Sequence, residues 1–149
     1  MSAPADRLAP PRLTPVTSDL KALRRAAEAG DAAAQFNLGV LSDSRLDDNG
    51  YTIPGDRAEA LRWLLLAAGN GLTRAQLRLA ELYADSPAAS GDRVRAGAWF
   101  LVAAAGATGV QRAAAETGYR TLAAGLSPGR RAKARGLATR LAATLGSRP

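Results

Sequence analysis

The chemistry open to this chain rests on carboxylates, hydroxyls and cations, because its 149 residues include no cysteine and no histidine. That absence removes thiolate nucleophiles, disulfides, imidazole bases and the commonest zinc ligands together. The densest set of oxygen donors is Asp43, Asp47, Asp48 and Asn49-Gly50, the kind of cluster that a hard cation such as calcium takes. Its spacing fails. With Gly50 placed at the glycine of a calcium loop, Arg45 falls on the first ligand and Asp56, instead of a glutamate, on the last. Asn49-Gly50 and Pro54-Gly55 read better as turns. The acids Glu28, Glu59, Glu81 and Glu116 are spread one to a helical segment. Gly69-Asn70-Gly71 lacks the preceding strand of a dinucleotide fingerprint, and there is no phosphate loop. No nucleophile–base pair can be named, so neither catalysis, nor a metal, nor a cofactor, nor a small-molecule substrate is expected.

Cations are the larger resource. The net charge of +7 is concentrated at one end. Residues 127–149 hold Arg130, Arg131, Lys133, Arg135, Arg140 and Arg148 without a single acid. Ser127-Pro128 supplies a capping hydroxyl and a proline suited to a first helical turn, which predicts a helix through about Leu145. Along it Ala134, Leu137, Ala138, Leu141 and Leu145 form one apolar stripe. Arg131 and Arg135 flank one side of that stripe, and Lys133 and Arg140 the other. Two readings follow. One is a solvated capping helix whose cations favour its C-terminal end. The other is a contact with an anionic membrane or nucleic acid through Arg130, Arg131, Lys133, Arg135 and Arg140.

These residues need a scaffold, and the composition points to helices. Hydrophobic residues make up 47% of the chain but aromatics only 5%, so the apolar content is alanine-rich and suits thin helix–helix contacts better than a sheet. Self-comparison gives the architecture. Gly55-Asp56-Arg57 through Trp63 to Ala67-Ala68 returns 36 positions later as Gly91-Asp92-Arg93 through Trp99 to Ala103-Ala104. At an offset of 41, Ala26 to Gly30 and Ala34 to Leu41 correspond to Ala67 to Gly71 and Ala75 to Leu82. Each unit reads as a helix pair. The first helix ends at Gly30 or Gly71, where a left-handed residue closes the turn. The second starts after Asp31 or Thr73 as capping residue. Asp56 and Asp92 are expected as N-caps of the second and third leading helices, each contributing about 1 kcal/mol. Trp63 and Trp99, at one repeat position, are expected to pack in the core.

The pattern Ala-Leu-Arg-Trp, Ala-Ala and Gly, followed by Ala-Gln-x-x-Leu-x-x-Leu-Tyr, resembles Sel1-like repeats, relatives of the tetratricopeptide repeat. The resemblance covers roughly residues 18–126. It implies an all-α solenoid of about three αα-hairpins and a role as an adaptor that presents a groove to a partner protein. The sequence departs from the pattern where Ser42 stands against Tyr83, where Ala80 stands against Gly39, in the long loop from Asp43 to Gly55, and in a degenerate third unit around Val110 to Leu122. Residues 127–149 would then be the capping helix, and residues 1–17, with four prolines, a flexible arm.

Sel1-like units commonly carry charge just before the Ala-Ala pair, as Arg24 and Arg25 do here, but the later units carry Leu65, Leu66, Leu101 and Val102. If those side chains face the inner groove they form an apolar contact site for a protein; otherwise the N-terminal arm or the C-terminal cap covers them, or they are ordinary core. The richest apolar run, Trp63 to Gly71, is far short of the roughly 20 residues that span a bilayer. The proline-interrupted start lacks the form of a secretory signal, so a cytoplasmic location is expected.

Overall fold

The computed structural model describes residues 14–46, 52–86 and 90–146. Among them seven helices follow one another: α1 (Thr14–Glu28), α2 (Ala32–Asp43), α3 (Arg57–Gly69), α4 (Thr73–Ala84), α5 (Ser90–Gly106), α6 (Gly109–Ala124) and α7 (Pro128–Gly146). Two three-residue strands, β1 (Ser44–Leu46) and β2 (Thr52–Pro54), pair antiparallel between α2 and α3. The sequence reads this segment as a long loop with turns at Asn49-Gly50 and Pro54-Gly55. Its two arms satisfy their backbone groups across a short ladder, and Gly55 N–H closes it on Asp43 O at 3.3 Å. Asp47, Asp48 and Asn49-Gly50 lie outside the described residues.

The helices alternate as two per repeat. Gly30 and Gly71, at φ +99° and +86°, close α1 and α3 in the same way. In each, the glycine N–H and the N–H after it turn back on the last carbonyls: Asp31 on Ala26, Leu72 on Ala67. Asp31 then caps α2 through Ala34 N–H at 2.8 Å, and Asp56 caps α3 through Glu59 N–H at 3.0 Å. Two capping expectations need correction. Thr73 is the first residue of α4, whose cap position is Leu72 with no side-chain bond. Asp92 lies inside the first turn of α5, because that helix starts earlier, at Ser90, and its carboxylate accepts from Ser86 and Arg95. α1 likewise begins at Thr14, inside the segment read as an arm; residues 1–13 are outside the described residues.

Core packing repeats with the sequence. Ala27, Ala34, Leu38 and Trp63 form one buried cluster between the first hairpin and α3. Shifting these positions by the two repeat offsets gives Ala68, Ala75, Leu79 and Trp99, all in the second, larger cluster that runs from α3 through α7. Both tryptophans therefore sit on leading helices packed against the preceding hairpin, buried to 4% and 6% exposure. The seam is polar at its end. Gln35, buried on α2, donates Nε2–H to Ala27 O at 3.0 Å, and Gln76, buried on α4, does the same to Ala68 O at 3.3 Å. These amides satisfy carbonyls that a helix terminus leaves without intrahelical partners.

The C-terminal end departs from the repeat. α3 and α5 each pack against the trailing helix before them, whereas α7 packs principally on α5, so α5 is enclosed by α4, α6 and α7. Gly97 makes this approach possible. A Cβ there would lie 3.1 Å from the Ala134 Cβ of α7, and the matching position in α3 is the half-buried Leu61. Ala134 and Ala138 of α7 are buried, and Leu137, Leu141 and Leu145 pack against the core beside them.

Candidate functional site

The residues singled out in the sequence separate into two places on the solenoid. On α3, the turn Trp63-Leu64-Leu65-Leu66-Ala67-Ala68 buries Trp63, Leu64, Ala67 and Ala68, which leaves Leu65 and Leu66 on the outer side of the helix. They are 42% and 45% exposed, among the most exposed large apolar side chains of the described residues. Arg62 precedes them on the same side and stacks over the Trp63 ring, 4.8 Å from its centroid. Arg24 and Arg25 are exposed on α1, and Arg24 reaches Glu59 of α3 at 3.7 Å. A bridge this exposed contributes little to stability.

The third unit differs. Val102 is 6% exposed and belongs to the core, and Leu101 is half-buried against it. Of the readings open for these positions, core packing describes both. Of the four apolar positions Leu65 and Leu66 are the exposed pair; elsewhere among the described residues Leu20, Leu41 and Val110 are exposed as well.

The cations of α7 divide by face. Arg131 is half-buried and donates Nε–H back to Leu126 O at 3.0 Å, which ties it to the turn between α6 and α7. Arg135 is exposed on the same side. Arg130, Lys133 and Arg140 lie on the other side, along a cleft between α7 and α5. The cleft consists of two adjoining hollows of about 260 and 600 Å³ that share Val94, Lys133 and Leu137. Sequence reasoning placed Lys133 and Arg140 beside the apolar stripe but missed the opposing wall, Val94 and Arg95. The signal was Gly97 standing where the aligned unit has Leu61.

A third hollow of about 410 Å³ lies among α4, α5 and α6, lined by Arg78, Glu81, Asp85, Arg93 and Phe100 among others. Arg78 is engaged by Asp43 at 2.6 Å and Glu81 at 3.3 Å, so this hollow is braced by ion pairs of opposite sign. Near it burial pushes the Tyr83 phenol above its ordinary value of 10.0, against the lowering effect of Arg95. Among the described residues no three His, Cys, Asp or Glu gather as a metal site, and no helix is long and apolar enough to cross a membrane.

No family model and no curated protein matches the chain. A solved structure does: a protective antigen present in uropathogenic Escherichia coli strains, described as displaying an SLR fold, is similar to it with a TM-score of 0.68 and 28% sequence identity. The match covers 85% of this chain and 25% of that one, so the chain spans about a quarter of the length of the antigen. Its helix pairs, its repeating tryptophan and glutamine positions and this likeness agree: the chain is an all-α solenoid with the Sel1-like repeat fold.

Proposed function

We propose that the chain is a protein-interaction module whose leading helices contact a segment of a partner protein, with Leu65 and Leu66 of α3 as the apolar contact and the exposed Arg24 and Arg25 of α1 as polar ones. The observation that carries this is the exposure of two adjacent leucines on a helix whose other large apolar side chains are buried or half-buried. Paired leucines on a surface helix leave apolar area in water that a partner would remove, at about 25 cal/mol per Å². No catalytic step is part of this reading.

The test is affinity purification with mass spectrometry, comparing the native chain with Leu65→Asp and Leu66→Asp. Both variants should keep the helical circular dichroism and melting temperature while losing the partner. Leu65→Asp that unfolds the protein would place the residue in the core and end the proposal. Val102→Asp serves as the contrast: an unpaired carboxylate in the core is expected to destabilise the fold by about 3 kcal/mol or more.

A further inference from the structure

We infer that the cleft between α5 and α7 is a second binding site, for an acidic, amphipathic segment of another protein. The inference rests on the interaction-module reading but uses different residues. Arg130, Lys133, Leu137 and Arg140 fall at positions 0, +3, +7 and +10 of α7, one continuous stripe of a helix. Opposite them α5 contributes Val94 and Arg95.

Three features define the occupant. Charge comes first: α7 has no acidic residue, and Arg130, Lys133 and Arg140 are exposed and form no ion pair among the described residues. On α5 the Asp92 carboxylate is already bound to Arg95 at 2.9 Å and Ser86 at 2.8 Å. The floor comes second. Val94 and Leu137 are half-buried and line both hollows, so a ligand must bring an apolar side chain as well as negative charge. Shape comes third. The two hollows are open and lie between two helices, with Val94 and Leu137 as an apolar floor between the cations, a pattern that a peptide side chain fits better than a phosphate backbone does. A helix or extended segment with carboxylates along one edge and a leucine-type side chain between them meets all three conditions.

The experiment uses the full chain and a fluorescein-labelled synthetic peptide with glutamates flanking a central leucine pair. Controls are the same peptide with glutamine for glutamate, a labelled single-stranded oligonucleotide, and phosphatidylserine vesicles. Anisotropy should show the glutamate peptide bound in preference to all three controls, more weakly as salt rises. Lys133→Glu and Arg140→Glu, both exposed changes, should each weaken it roughly fivefold or more with the melting temperature unchanged. Leu65→Asp should leave peptide binding intact, so failure at α3 and failure at the cleft are read separately. The inference is overturned if the glutamine peptide binds equally, if neither charge reversal matters, or if the oligonucleotide or the vesicles bind better than the peptide.

Discussion

Gln35 and Gln76 show how much a single side chain reveals about the repeat. Both stand in aligned positions, and both donate to the alanine carbonyl eight residues earlier, so their pairing in sequence already implied a shared place in the fold. Their acceptor ends differ. Gln35 Oε1 accepts from Asn70 Nδ2 of the next unit at 3.0 Å, whereas Gln76 Oε1 is buried with no partner among the described residues. The residue that aligns with Asn70 in the third unit is Gly106. Nothing lies within 4 Å of a Cβ built there. Gly106→Asn should therefore supply the missing amide and raise stability by about 1 kcal/mol beyond Gly106→Ala in urea denaturation. Tyr83 gives a second measurement at this scale. Its raised value means the folded state holds the phenolic proton more tightly than the unfolded chain. Stability is complete below the ordinary tyrosine value and falls as pH rises above about 10. Tyr83→Phe should flatten that alkaline loss in a melting-temperature series.

At the scale of elements, the two regular hairpins were legible because their apolar periodicity, glycine ends and acidic caps all point to the same helices. Asp31 and Asp56 could be read directly. Asp92 could not, since the same Gly-Asp-Arg triplet is drawn into a helix that begins two residues earlier. α7 was legible as a helix with an apolar face, but not in its docking. Helix periodicity says which residues are buried and not what buries them. The residue that decides is Gly97, and its effect is testable: Gly97→Leu restores the side chain of the aligned unit and should drive α7 from α5. Hydrogen exchange would then accelerate across residues 128–146 while α1 to α4 keep their protection. Gly97→Ala, which adds only the methyl group, should show a smaller shift.

For the whole molecule, the split between the two clusters sets the order of stability. Among the described residues the first hairpin contributes Ala27, Ala34 and Leu38 to a small cluster with Trp63 and packs Phe36 against the larger one, whereas α3 to α7 share one continuous core. Repeat proteins add their stability from each unit and its neighbouring interfaces. Amides of α1 and α2 are therefore expected to exchange before those of α4 and α5, and the two regions to differ most at low denaturant. The interaction surfaces follow the same division. Leu65 and Leu66 were visible as an oddity of the repeat, but that they are exposed while Val102 is buried is a tertiary fact that no periodicity contains. The core's uneven partition also has a mechanical consequence. A chain held at both ends and stretched should not come apart at once: α1 and α2 would peel away first under a low force, and the Gly97 end would hold until a second, higher step.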